Sequence, residues 1–470
     1  MMSDLKYRVA VCAICRNERN YIEEWVAFYK SLGFEGVFIY DNVSDDGTSE
    51  LLASLHAVKE LTRVHWPRKE GIPPQRDAYG HFLECYAQDY DYVLICDLDE
   101  FLVIDDGSVQ SLIAEAEHVS PNVGAIAFPW LIFGSGGQLT ETNELVIERF
   151  TKCDAKVART VKTLFASKNT YNMRTHICDL LGGIYLDNAL RTAEWDQRMP
   201  IKLKSPVAGK ARIHHYYTKS KEEWLRRRAQ PKADRAKLEL KNIEEYEKYS
   251  ALHTENLQGC ALSAQVRPII QELRSKVAGL QESVRNAEVE LVSVSSEWLF
   301  GLIKNISSST PVALRLSGET GDEVSINSKR ISEDVHIFTY KNKWRKTYSK
   351  SFSLSLVGSD RTQSFTESDY PEAMNSLALL AKFMPSAEEH IFSIALLALS
   401  QRTSRQVFEF CNKIEFPRNR KFKRFFALLS VYEVSADKDA FRRELEKEDD
   451  DFKKMIFDRK KSPYISGLLC

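Results

Sequence analysis

Apolar residues in the first part of the chain come in short unbroken runs, each ending abruptly in charge. Val9-Ala-Val-Cys-Ala-Ile14 stops at Cys15-Arg16-Asn17-Glu18, and Gly36-Val-Phe-Ile-Tyr40 stops at Asp41-Asn42-Val43-Ser44-Asp45-Asp46. Val93-Leu-Ile-Cys96 stops at Asp97-Leu98-Asp99-Glu100. Runs of this length without polar alternation predict strands covered on both faces. Between them the period becomes helical: Ile22, Trp25, Val26 and Tyr29 share one face, from a start near Asn20 with Glu23 as capping partner to a stop at Gly33. A strand from Arg63 to Trp66 and a helix around Gln75 to Tyr86 complete a β-α-β-α alternation. That order predicts an α/β fold with a doubly wound, mostly parallel sheet and right-handed crossovers. Arg16 to Glu18, Asp41 to Asp46 and Asp97 to Asp99 then all lie at carboxyl ends of strands, on the edge where such sheets hold ligands.

Further along, a helix near Val109 to Ala116 precedes a buried strand at Val123 to Pro129, which feeds the aromatic, glycine-containing loop Trp130 to Gly137. Aromatic faces beside glycine backbone suit a sugar ring, and equally an ordinary tight turn. Ser220-x-x-Glu223 has the form of a capping box opening a helix that carries Trp224 and Arg226 to Arg228, with Pro231 ending it. Val266, Ile270, Leu273, Val277, Leu280, Val284, Ala287 and Leu291 then alternate spacings of four and three, an a/d seam. Such a seam serves either a homodimer or a helix packed along its own domain. Short strands are expected between 308 and 368, with Lys341, Lys343, Arg345 and Lys346 forming a basic loop, and helices over 370 to 460. The pattern divides the chain into 1–230, a helical extension 231–300, and a smaller α+β and helical region 301–470.

Composition narrows the classes. A chain of 470 residues, 43% hydrophobic and 28% charged, buries ordinary globular cores. A formal net charge of −1 argues against nucleic-acid binding by bulk charge. Nine cysteines, without paired zinc-type spacings, read as reduced thiols of a cytoplasmic protein. No secretory signal is visible at the start and no apolar run reaches spanning length, so any membrane contact is expected to be peripheral.

Two carboxylates one residue apart at a strand end, Asp97 and Asp99, can turn to one hard cation that keeps substrate phosphates in its other positions. They equally suit a strand cap. What surrounds them is more specific. Cys12-Ala-Ile-Cys-Arg-Asn-Glu18, Tyr21-Ile-Glu-Glu-Trp25, Ile39-Tyr-Asp-Asn-Val-Ser-Asp-Asp-Gly47 and Asp97-Leu-Asp-Glu-Phe101 together resemble the family-2-like glycosyltransferases, nearest the branch related to glycosyltransferase family 92. Trp130-x-x-Phe-Gly-Ser135, Glu148-Arg-Phe150, Lys162 and His215-Tyr-Tyr-Thr-Lys-Ser220 fit that branch in order, so the resemblance covers about residues 7 to 280. Gly136 and Arg16 depart from its usual residues.

The resemblance implies a GT-A fold, a nucleotide-sugar donor (a UDP-sugar first) and a divalent metal, Mn2+ or Mg2+, bridging Asp97 and Asp99 to the donor diphosphate. It places Arg16, Asn17, Glu18 and Asp41 at the nucleoside, and matches His215 to a late histidine suited to a third metal ligand, with His176 its rival. Arg76 is a cation available to the leaving group. For an inverting transfer a carboxylate must take the acceptor's proton; Glu148, following the Phe133 to Gly137 loop, is the first candidate and Asp187 the second, ahead of Asp179, Glu194 and Asp196. The expected function is metal-dependent glycosyl transfer to a glycan or lipid-linked glycan acceptor in cell-surface glycan synthesis. A nucleotidyltransferase and a non-catalytic sugar-binding scaffold are the alternatives; the former would normally carry a glycine-rich basic loop where Arg16-Asn17-Glu18 stands.

Overall fold

The computed structural model describes residues 7–228 except 106, 243–294, most of the strand-forming residues from 298 to 366, a few positions between 391 and 429, and 438–457. Lys343, Arg345, Lys346, Pro231 and most of the helical stretch expected over 370 to 460 lie outside the described residues. The chain forms two compact units, 1–279 and 280–470.

In the first unit the elements run β1 (Val9–Cys15), α1 (Ile22–Ser31), β2 (Gly36–Asp41), α2 (Thr48–Ala57), β3 (Thr62–His65), α3 (Pro74–Cys85), β4 (Tyr92–Ile95), β5 (Glu100–Ile104), α4 (Val109–Val119) and β6 (Val123–Phe133). They continue through α5 (Val146–Arg149), β7 (Lys152–Cys153), β8 (Val161–Ala166), β9 (Thr170–Met173), β10 (Cys178–Leu180), β11 (Ile184–Asp187) and β12 (Ala211–Tyr216). Then come α6 (Lys221–Arg228), α7 (Ile243–Ser250), β13 (Thr254–Glu255), α8 (Gln258–Ala261) and α9 (Ser263–Val284).

Strands β3, β2, β1 and β4 pair in parallel, as the apolar runs predict. Beyond β4 the sheet is mixed rather than mostly parallel, because β8 lies antiparallel to both β4 and β6. Strand β12 is inserted between β6, parallel to it, and β5, antiparallel to it. This α/β sheet, with helices packed on it, is the expected fold class. Helix α1 lacks a side-chain cap: Asn20 donates to Glu141 and Glu23 pairs with Arg274 instead. The Ser220–Glu223 capping box is formed reciprocally.

The helix carrying the seam is α9, and it ends at Val284, short of the expected run to Leu291. Val266, Ile270, Leu273 and Val277 are buried in the core that includes Trp25, Phe28 and Phe101. Val284, Ala287 and Leu291 belong to the second unit's core, with Leu291 on a strand, β14 (Glu288–Val294). The seam is internal packing of the chain, which removes it as the basis for a homodimer. In the second unit β14 begins a seven-stranded antiparallel sheet, including strands at Ala313–Gly318, His336–Lys341 and Ser351–Leu356, where short strands are expected. Among the described residues no helix is long and apolar enough to cross a membrane.

Candidate functional site

The turn after β4 is fixed from behind. The Trp25 indole N–H donates to the carbonyls of Asp97 (3.0 Å) and Glu100 (3.2 Å), and the Tyr29 hydroxyl donates to the Glu100 carbonyl. The Asp97 N–H in turn donates to Glu100 Oε2 (2.9 Å). With the backbone held, Asp97 and Asp99 diverge to different partners.

Asp97 Oδ1 accepts from the Gln75 amide (2.8 Å) and the Tyr79 hydroxyl (3.3 Å), both from α3. Its Oδ2 accepts from Lys162 Nζ at 2.9 Å, and the same ammonium lies 3.3 Å from Glu100 Oε2. Lys162 is wholly buried on β8, so it bridges the buried Glu100 to the partly exposed Asp97. Burial works against its charge, but Asp97 and Glu100 outweigh that and raise its pKa. Burial pushes Glu100 up to about 7, against the pull of Lys162.

Asp99 is 4% exposed. Its Oδ2 accepts from Arg227 Nη1 at 2.6 Å, and His215 Nε2 stands 3.6 Å away. Burial alone would raise its pKa; Arg227, His215 and Lys219 hold it well below the carboxylate range. The register of β12 explains the histidine, since His215 sits opposite Glu100 on β5 and beside Ile132 on β6. Trp130, also on β6, places its ring 4.5 Å from His215 and 5.3 Å from His176. His176 Nδ1 is 3.2 Å from the Val161 carbonyl, which can only accept, so Nδ1 carries the proton and Nε2 is left as an acceptor. Burial, and then the charge of Lys162, lowers His176 to about 4, keeping it neutral near pH 7.

Glu18 arrives from the loop after β1, with Lys219 at 3.7 Å and Arg227 at 3.4 Å. That loop is tied to the one after β2. Asn17, in a left-handed backbone conformation (φ 57°), exchanges side-chain bonds with Asp45, and its N–H donates to Ser44. The buried Arg16 Nε has no partner.

The structure thus gathers Glu18, Asp97, Asp99 and His215, with His176 nearby across Trp130. Other expected residues are committed elsewhere. Asp41, fully buried, accepts from Ser44, Ser49 and Arg63 on its two oxygens and anchors its own loop. Arg76 is exposed on α3, whose Gln75 faces Asp97 instead. Glu148 pairs with Arg267. Asp187 accepts from Arg191 and from the N–H groups of Ala189 and Arg191, closing its own turn. Asp179, Glu194 and Asp196 pair with Arg174, Lys204 and Arg159.

Gln75, Lys162, Lys219 and Arg227 were not among the expected site residues. A lone lysine inside the apolar strand Val161–Phe165 is a visible signal for Lys162, because a charge there must be paired. Arg227 has none, standing between two other arginines.

Carboxylate oxygens with one imidazole make a donor set suited to Mn2+ or Mg2+. His215 adds to the case, since its Nδ1 is buried without a partner and its Nε2 faces Asp99. The chemistry of this donor set fits such an ion. Among the described residues no three acidic, histidine or cysteine side chains converge on one point, and Arg227 and Lys162 occupy the cation positions on Asp99 and Asp97.

A protein-family model described as glycosyltransferase family 92 matches residues 7–248, more than half of the 470-residue chain. A glycosyltransferase family 92 protein of Oryza sativa subsp. japonica is 27% identical over 133 residues, 28% of this chain and 22% of the relative. One from Arabidopsis thaliana is 32% identical over 100 residues, 21% and 17% of the two chains. The alignments span about a fifth of the length of these relatives. Among solved structures, S. aureus TarS aligns with 76% of this chain and 77% of its own at 11% identity and a TM-score of 0.25. Glucosyl-3-phosphoglycerate synthase from Mycobacterium tuberculosis, in complex with Mn2+, uridine diphosphate and phosphoglyceric acid, aligns with 27% of this chain and 44% of its own at 14% identity and a TM-score of 0.19.

Proposed function

The chain belongs to glycosyltransferase family 92, and from that premise we propose that it transfers a sugar from a nucleoside-diphosphate donor, a UDP-sugar first, to a glycan or lipid-linked glycan hydroxyl. The observation that carries the reading is the charge arrangement at the end of β4: a deeply buried, ionised Asp99 beside His215, with Asp97 held by Lys162, Gln75 and Tyr79. Breaking the bond from the anomeric carbon to the diphosphate leaves negative charge that must be neutralised. Asp97, Asp99 and His215 would hold a divalent cation, which when bound supplies that neutralisation.

The chain's own residues do the rest. Lys162 fixes the Asp97 carboxylate and Gln75 orients it, so that the acidic pair is set before substrate arrives. Lys219 and Arg227 bring positive charge to the same place. The Trp130 ring, between His176 and His215, offers an apolar face to a sugar and sheds water from the reacting carbon. The transfer is inverting, with Glu148 or Asp187 the base; each would first have to leave its arginine. The seven described cysteines are all free thiols, as suits action on the cytoplasmic side.

A panel of nucleotide sugars incubated with Mn2+ or Mg2+, with and without EDTA, tests the reading. One donor should release its nucleoside diphosphate only when metal is present. Release of nucleoside monophosphate and sugar phosphate, or no turnover of any donor, would overturn it.

A further inference from the structure

Arg227 brings its charge to the site by direct contact with the carboxylates. Its guanidinium spans two carboxylates from different loops, Nη1 to Asp99 Oδ2 at 2.6 Å and Nη2 to Glu18 Oε1 at 3.4 Å. A recess bordered by Asn17, Glu18, Tyr21, Lys219 and Arg227 lies beside it. A cation binding Asp99 Oδ2 has to compete with the Arg227 guanidinium already there.

We propose that Arg227 is an internal cation of the free protein, occupying on Asp99 the place a divalent metal would take when it enters with the diphosphate. The proposal rests on the reading of Asp99 as a metal ligand. Charge balance supports the exchange. Asp99 and Glu18 carry two negative charges, and Lys219 and Arg227 carry two positive ones. A divalent cation arriving alone makes the cluster strongly positive and must expel a guanidinium held by a charge-assisted bond in a largely buried place. Arriving with a nucleoside diphosphate, it brings its own counter-charge, and the displaced guanidinium finds phosphate oxygens to bind. Metal and nucleotide should therefore bind cooperatively, each strengthening the other by the same factor.

The helix is built for such an exchange. Helix α6 is secured at its start, where Ser220 and Glu223 cap each other and Glu223 pairs with the buried Arg149, and where Trp224 is 1% exposed. Arg227 lies four residues past Glu223 with its side chain 33% exposed, so the side chain can leave Asp99 without disturbing the packed first turn.

The test is Mn2+ binding to the full chain, by electron paramagnetic resonance or calorimetry, without nucleotide and then with uridine diphosphate. Arg227→Gln should bind Mn2+ alone roughly ten- to a hundredfold more tightly than the wild type, the loss of one charge-assisted bond being its source. Uridine diphosphate should strengthen Mn2+ binding more in the wild type than in the variant. Should the glutamine variant not fold, Arg227→Lys, which keeps the charge and loses the two-carboxylate span, should shift binding in the same direction by less. If Arg227→Gln binds Mn2+ no more tightly while Asp99→Asn loses it, the metal reading stands and the internal cation is refuted. If Asp99→Asn binds Mn2+ as well as the wild type, the metal reading falls and the proposal falls with it.

Discussion

Lys162→Met isolates the electrostatic core of the site. Methionine fills a similar volume, so the change removes one buried charge and leaves Asp97 and Glu100 facing each other. The lysine side chain is 0% exposed and so is that of Glu100, so solvent screens neither. Breaking a buried pair by removing one partner typically costs about 3–5 kcal/mol, which in a domain of this size lowers Tm by on the order of 10 °C. The loss should depend on pH. Glu100 is pushed up to about 7 by burial, with Lys162 pulling it down, and its Oε1 is buried without a partner. An acid whose folded pKa lies above its unfolded value takes up protons on folding, so its contribution falls as pH rises from the unfolded value through the folded one. Removing Lys162 carries that window above pH 7. Thermal unfolding followed by calorimetry should therefore show a gap between wild type and variant that is larger at pH 8 than at pH 6. Adding Glu100→Gln should recover much of the loss at pH 8, because the remaining charge then keeps its donors from α3. An equal gap at both pH values, or a double variant no more stable than Lys162→Met, would refute the reasoning.

Glu24 accepts the Val146 and Ile147 N–H groups, yet burial pushes it up to about 7 from 4.5; stability should fall by on the order of 3 kcal/mol as pH rises across that window, and Glu24→Gln should flatten the profile in a Tm-against-pH series. Leu273→Asp puts a charge where the wild-type leucine is 1% exposed, so it should destabilise the fold by several kcal/mol, and a well-folded variant with an altered mass by light scattering would contradict internal packing. For the base, Glu148→Gln and Asp187→Asn should be compared by kcat under saturating donor. The true base loses ~10²–10⁴-fold with donor affinity nearly unchanged, and no loss in either variant would place the base elsewhere.

The parallel half of the sheet was legible because β1, β2 and β4 are covered on both faces, which writes itself as unbroken apolar runs. In the other half β6 was legible as a buried run, but not the reversed direction of β8, nor β12, which includes Arg212, His214 and His215 and reads as polar until β5 and β6 are known to flank it. Asp99 and His215 do lie side by side, as a strand end and a resemblance led one to expect; their role is what is proposed. The bonds from Arg63 to Asp41 come from the adjacent strand, and nothing local in the sequence reveals them. The a/d period of 266 to 291 marked buried positions correctly, but periodicity cannot say whether the covering surface belongs to a second chain or to the same one. Arg227 shows the same limit, because three adjacent arginines look alike until a helix aims one at Asp99.

Asp99 is the carboxylate around which the proposed donor chemistry is built. Its direct test is release of nucleoside diphosphate from a turned-over nucleotide sugar, measured with saturating Mn2+ for wild type and Asp99→Asn, with circular dichroism to verify the fold. The account predicts activity in the wild type that EDTA abolishes, and a loss of roughly 10²-fold or more in a folded Asp99→Asn. Wild-type rates from that variant would contradict it.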